Sequence, residues 1–348
     1  MQWKRTWVRA GMGVAVAGAV GLGLLAIPAG AGAAPELPPV SAEDLVSSVL
    51  QANDPGALAG TVTLDNGLGL PALPNLPQAA DGTSSARVWS DGTGKGRLAI
   101  PSGQNEKTLV DDGTTVWAWD SADRTVTKKT VDATHTPPEA AATDPAAAAS
   151  QALQSLRATS TVTVDGTAEV AGRPAYELVL APLPSERTLL REVRIAVDSE
   201  KRIPLRLTVL ANGSTDPALQ VGFTDLSFGP QDPSLFTFTP PPGATVKDAP
   251  ARPEGSTPDG TARPAGAEPT IVGDGWDTVV IAKMSQDTQP TGDERGGVNL
   301  QNLGTPVSGP WGSGREIDTA VATAIITSDG RIAAGAVPAQ VLTEALAK

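Results

Sequence analysis

Arg173-Pro-Ala-Tyr-Glu-Leu-Val-Leu180, Val193-Arg-Ile-Ala-Val-Asp198 and Ile203-Pro-Leu-Arg-Leu-Thr-Val-Leu210 are closed by Asp232-Pro-Ser-Leu-Phe-Thr-Phe-Thr-Pro-Pro-Pro-Gly243. The first three segments alternate or are β-branched, with short polar or Pro-containing breaks between them. That pattern predicts strands of one antiparallel sheet.

Working back from there, the same pattern predicts strands over Leu58–Leu64, Ala86–Ser90, Lys95–Ile100, Glu106–Val110, Thr115–Trp119, Thr125–Val131 and Thr161–Val164. Asp91-Gly92, Asp112-Gly113 and Asp165-Gly166 read as turns, because Asp followed by Gly tolerates the positive φ of a tight hairpin. Ser41 with Asp44 three residues later reads as a helix cap, with Leu45, Val46, Val49 and Leu50 on one face. Asp144-Pro145 predicts a second helix over Pro145–Arg157, with Ala149, Leu153 and Leu156 as its apolar positions. Helix, long meander, inserted helix and further meander make an α+β architecture.

Residues 247–269 are built of Pro, Gly, Ala and charged residues without apolar periodicity, the composition of a linker. Beyond it, Trp276–Ala282, Thr319–Thr327 and Ile332–Val337 read as strands, and Pro338 opens a short helix with Val341, Leu342 and Leu346. The organisation expected is therefore a leader over residues 1–33, a large domain over 36–246, the linker, and a small α+β unit over 270–348. Lys4, Arg5 and Arg9, the apolar run Ala10–Ala34 and Ala31-Gly32-Ala33 have the layout of a secretory signal peptide; an uncleaved membrane anchor is the alternative. There is no cysteine, hence neither a disulfide nor a thioether-linked lipid. The net charge of −12 disfavours nucleic acid and anionic membrane surfaces as partners.

The order of the pieces between 173 and 246 resembles the LolA/RseB superfamily of extracytoplasmic lipid- and lipoprotein-binding proteins. Pro204-Leu205-Arg206 opens one strand, and Asp232-Pro-x-Leu235-Phe236-x-Phe238-x-Pro-Pro-x-Gly243 closes the domain. The resemblance implies a strongly curved antiparallel sheet, an incomplete β-barrel, with covering helices and an apolar space that holds acyl chains. It also implies extracytoplasmic location, in the envelope or secreted, or membrane-anchored if the leader stays. A large LolA-like part followed by a small β-rich unit is also similar to RseB in layout.

Catalytic chemistry finds little support. The single histidine, His135, lies beside Thr136-Pro137-Pro138 and reads as a solvated loop residue rather than the base of a triad. One histidine and no cysteine exclude the common zinc sites. Asp111-Asp112 lacks EF-hand spacing, and Gly92-x-Gly94-Lys95-Gly96 lacks the Ser/Thr and helix of a phosphate loop. The chain reads as a non-enzyme without a cofactor.

Apolar residues provide the site candidates. Asn66–Pro77 interleaves Leu68, Leu70, Leu73 and Leu76 with Gly and Pro, so it is a loop carrying four leucines: either folded onto the core or a flap over a lipid cavity. Trp117 and Trp119 share one face of their strand and Val116 and Ala118 the other; with Trp89 they are core packing or cavity lining. Leu45 and Val49 complete the expected lipid-binding set. Arg87 and Arg97 lie where the superfamily's lid-latching arginine is expected. The partners expected are acyl chains of a lipid or lipoprotein, with a transporter or anti-sigma factor as a membrane-protein partner. The leading function is acyl-chain sheltering; the alternative is an envelope-stress regulator that binds an anti-sigma factor.

Overall fold

The computed structural model describes residues 34–52, 55–69, 81–130, 145–249, 269–283 and 304–348. The leader segment 1–33, Leu70, Leu73, Leu76, His135 and most of the linker lie outside these residues. Two units divide the chain. Of Met1–Glu36 only residues 34–36 are described, without regular structure, and every element below belongs to Leu37–Lys348.

Strands β1 (Leu58–Asn66), β2 (Gly82–Ser90), β3 (Gly96–Ser102), β4 (Asn105–Asp111), β5 (Thr115–Asp120) and β6 (Thr125–Thr130) form one antiparallel meander. A second contains β7 (Ser160–Val170), β8 (Arg173–Pro182), β9 (Leu190–Asp198), β10 (Pro204–Ala211) and β11 (Pro217–Phe228). Pairing of β1 with β11 joins them. A short strand β12 (Thr245–Asp248) then pairs in parallel with β6. Among the described residues the order is β12-β6-β5-β4-β3-β2-β1-β11-β10-β9-β8-β7, twelve strands that do not close into a barrel. β12 includes Lys247 and Asp248, the first residues of the stretch whose composition reads as linker.

Helix α1 (Ala42–Gln51) starts where the capping pattern placed it. The Ser41 hydroxyl accepts the Asp44 backbone N–H at 3.0 Å and donates to the Asp44 carboxylate at 2.8 Å. Leu45 is fully buried, and Val46 and Val49 pack beside it. Leu50 does not join that face; it is 51% exposed. In α2 (Pro145–Arg157), Leu153 is buried while Leu156 stays exposed. The two helices pack on each other and on β7, so that Leu45 and Leu153 share one core with Val162, Tyr176, Leu178 and Val197.

Asp91-Gly92 and Asp112-Gly113 turn β2 into β3 and β4 into β5. Gly92 is needed twice over: its φ is +72°, and a Cβ there would stand 2.6 Å from the Ala57 nitrogen. Asp165-Gly166 differs from expectation. It makes a bulge inside β7 between Val164 and Thr167, because β8 continues to pair on both sides of it.

The segment after β11 crosses the strands rather than adding to them. Asp232 caps one turn of 3-10 helix (Pro233–Phe236) by accepting the Ser234 N–H at 2.9 Å. Phe236 is buried, the Phe238 ring lies 5.7 Å from that of Trp117, and Arg124 donates to the Pro242 carbonyl at 2.6 Å.

A second, smaller sheet is entirely antiparallel: β13 (Thr270–Val272), β14 (Val279–Lys283), β15 (Thr305–Gly309), β16 (Gly312–Asp318), β17 (Thr323–Thr327) and β18 (Arg331–Gly335), in the order β13-β14-β18-β17-β16-β15. Helix α3 (Ala339–Leu346) closes its core with Val341, Leu342 and Leu346 against Val279, Ile325 and Ala333. Trp276 precedes β14 instead of opening it. Its backbone N–H goes to the Glu186 carboxylate at 2.8 Å and its indole N–H to the buried Ser160 hydroxyl at 2.7 Å. Arg187 with Glu344 (2.7 and 3.0 Å) and the Thr188 hydroxyl with the Ala336 carbonyl (2.6 Å) also fasten this sheet to the large one.

Candidate functional site

Strand register makes the two faces of the large sheet chemically different. One row runs Leu178, Ile195, Leu207, Val221, Leu64 across β8, β9, β10, β11 and β1. A second row on the same side runs Val88, Leu98, Leu109, Ala118 across β2, β3, β4 and β5. Gly60, opposite Val88 and four residues from Leu64, shows that the rows share a face. This face is apolar across these nine strands. At the β7–β9 end, α1 and α2 pack on it and Leu178 is buried. At the β3–β6 end, Leu98 and Ile100 are half-buried and Leu109 is 42% exposed.

There a cavity of about 510 Å³ opens. Leu98, Ile100, Leu109, Ala118 and Trp119 provide its apolar wall. Lys107, Thr108, Asp120, Asp123, Thr125, Thr127 and Lys247 provide the polar remainder. Its size is that of a small-molecule site, which runs from roughly 300 to 1,000 Å³. Lys107 and Asp120 are neighbours across β4 and β5 and pair at 3.5 Å.

The opposite face is polar in its middle. Arg206 donates to Glu177 at 2.8 Å, and Arg194 reaches Glu192 at 2.8 Å and Glu177 at 3.4 Å. The hydrogen bond to Glu192 is the first cause of the raised Arg194 pKa. Gly222 lies opposite Arg206, and a Cβ there would come within 2.9 Å of the arginine stem. At the β2–β6 end the same face carries the tryptophans. Arg87 and Arg97 stack on Trp89, with guanidinium carbons 4.8 and 5.9 Å from the ring centre. Trp117 meets Phe238, and its indole donates to Asp112 at 2.9 Å. Burial of the Asp112 carboxyl is outweighed by that bond and by those from Thr114 and Thr115, which hold its pKa well below the usual range.

The structure thus separates the expected site residues. Leu45 and Val49 belong to the packed end of the apolar face. Leu68 is half-buried, and its carbonyl accepts the Ala320 N–H at 3.0 Å, a contact to the second sheet. Trp119 borders the cavity, but its register opposite Thr108, in the row of Arg87 and Ala99, puts it with Trp89 and Trp117 on the face opposite Leu109. There Trp89 lies between arginines and Trp117 against Phe238. Arg87 and Arg97 also lie on that side. Residues not singled out from sequence, Leu98, Ile100 and Leu109, make most of the apolar wall. Their signal was present in the alternation: they occupy the positions between those of the aromatic face.

No protein-family model matches the chain, and no curated protein matches it. Among solved structures, the chain is similar to the MucA/MucB complex of Pseudomonas aeruginosa, with 18% identity and a TM-score of 0.45, covering 88% of this chain and 96% of that one. Similarity to MucB in complex with MucA(peri) is at 16% identity and a TM-score of 0.44, over 88% and 97% of the two chains. A LolA superfamily protein from Nitrosomonas europaea is similar at 11% identity and a TM-score of 0.25, over 57% of this chain and 99% of that one. Among the described residues no helix is long and apolar enough to cross a membrane.

Proposed function

We propose that the protein is an extracytoplasmic, non-enzymatic binding protein that shelters acyl chains of a lipid or lipoprotein against the apolar face of its large sheet. The observation that carries this reading is the unequal cover of that face. Helices seal its β7–β9 end, while Leu98, Ile100 and Leu109 line an open cavity at the other. Leaving large aliphatic side chains part-exposed along a groove costs stability that a bound chain restores, at about 0.8 kcal/mol per buried methylene. The basic, apolar and small-residue pattern of residues 1–33 supports export, with the leader removed or kept as an anchor. We assign residues 36–246 and 270–348 as two domains.

Native mass spectrometry of protein purified from its own envelope, followed by lipid extraction, tests the reading. Co-purifying acyl lipid is expected. Protein that arrives empty in repeated preparations and binds no acyl probe overturns it.

A second reading, a regulator that binds an anti-sigma factor or another membrane protein, is favoured by the small sheet. That sheet has its own sealed core and is fastened to the large one at Ser160 and residues 186–189. Recovery of one membrane regulator with stoichiometric protein and no lipid favours it; recovery of lipid alone counts against it.

A further inference from the structure

We infer, resting on the acyl-chain reading above, that the amphiphile bound at the β3–β6 cavity carries a zwitterionic head group with one phosphate and one amine. Its tail lies towards β2 and β1, and its head lies at the β6–β12 edge. Orientation follows from how the wall changes across the strands. At one level Leu98, Leu109 and Ala118 give way to Thr127 and then Lys247; at the next Ile100 gives way to Lys107, Asp120 and Thr125. The apolar side therefore continues into Val88 and the centre of the sheet, and the polar side ends at the open edge.

Head-group chemistry follows from which charges are already satisfied. Asp120 is taken by Lys107 at 3.5 Å. Asp248, next to Lys247 on β12, is taken by Lys128 at 3.4 Å, on the other face. That leaves Lys247 and Asp123, both on the cavity wall and neither in an ion pair with any described residue. A neutral head leaves both charges to water. A purely anionic head meets Asp123 and a purely cationic one meets Lys247. A phosphate at Lys247 with an amine at Asp123 satisfies both, with charge-assisted hydrogen bonds that an alcohol head cannot make. Both side chains are exposed, one on an edge strand and one in the β5–β6 turn, so changing them leaves the core untouched.

The test compares three lysolipids of identical acyl chain, below their micelle concentrations, by displacement of a fluorescent fatty acid from the full protein. The three are lysophosphatidylethanolamine, lysophosphatidic acid and monoacylglycerol. Partly solvated ion pairs are each worth about three- to fivefold in affinity. The ethanolamine lipid should therefore bind about tenfold more tightly than monoacylglycerol. Lys247→Gln should remove the phosphate share of that preference and Asp123→Asn the amine share, each read as the fall in the ratio of ethanolamine-lipid to monoacylglycerol affinity. Equal binding of all three lipids, or a preference that survives both substitutions, overturns the head-group assignment while leaving the groove intact. Tightest binding of lysophosphatidic acid makes the site anionic-selective and also overturns it. No binding of any of the three overturns the groove itself.

Discussion

The two ends of one sheet face have the same strand chemistry and opposite fates. At the β7–β9 end, Leu178 and Val197 are buried with Leu45 and Leu153 from the two helices. At the β3–β6 end, Leu98, Ile100 and Leu109 alternate along their strands in the same way and find only a cavity. The difference is whether a helix with an apolar stripe lies within reach. Core and binding surface are here the same material, and what divides them is cover.

The largest expected effect sharpens that division. Truncating Leu45 or Leu153 to Ala, in the sealed end, should cost about 2–5 kcal/mol of unfolding free energy in urea titrations, the usual range for a buried leucine. A cost near zero would mean that the helices rest on the face without sealing it.

Asp198 tests what holds the sealed end in register from behind. Its carboxylate is buried at the β9–β10 turn, bound by Arg173 and by the backbone N–H groups of Glu200 and Lys201. Burial raises its pKa, but Arg173 and the two amides outweigh this and hold it below the ordinary value of 3.8. The sign follows: the folded state binds its proton less readily than the unfolded state, so the contribution is complete above about pH 4. It is lost as pH falls through the lowered folded value. Asp198→Asn should cost about 2 kcal/mol at pH 7, below the range for a fully buried pair because Arg173 keeps some water contact. The gap from the parent should narrow as unfolding is repeated towards pH 3. A gap independent of pH would show that packing, not charge, is what Asp198 supplies.

Trp276→Phe removes the indole N–H that satisfies Ser160 at the start of β7. A loss of about 1 kcal/mol is expected, with faster amide exchange in residues 269–283 than in β8. Unchanged exchange would mean that the remaining contacts to the second sheet, among them Trp276 N–H to Glu186, the Arg187–Glu344 pair and the Thr188 bond, hold it without the indole.

The smallest stability effect is expected at the open end. Leu109→Ser should change unfolding free energy by less than about 0.5 kcal/mol yet weaken binding of an acyl probe several-fold. If it instead costs as much as Leu45→Ala, the cavity end is ordinary core.

Much of this was legible in the sequence. The Ser41 cap, the α2 span and most strands of the large sheet follow from local alternation, capping and Asp-Gly turns, because those signals are carried by residues close together in the chain. What was not legible depends on distant partners. Trp117 reads equally as core or cavity lining until Phe238, far along the chain, is found against it. Asp165-Gly166 reads as a turn until continued pairing with β8 makes it a bulge. β12 is four exposed residues paired, among the described residues, with β6 alone. β15 and β16 are rich in Gly and polar residues, and their pairing with each other and with β17 defines them. The side of the sheet that binds was the costliest ambiguity. Period-two alternation names two faces but not which one a helix will reach.

That ambiguity is also where the account is tested most directly. The chain contains no cysteine, so single thiols can be placed at will: Leu109→Cys on the cavity face and Arg87→Cys, exposed, on the opposite one. The rate of maleimide alkylation is then measured with and without a saturating long-chain lysolipid. Protection of the thiol at 109 by several-fold, with the rate at 87 unchanged, is the predicted result. Equal rates at 109 with lipid demonstrably bound, or protection at 87 instead, would contradict the claim that the open apolar face holds the chain.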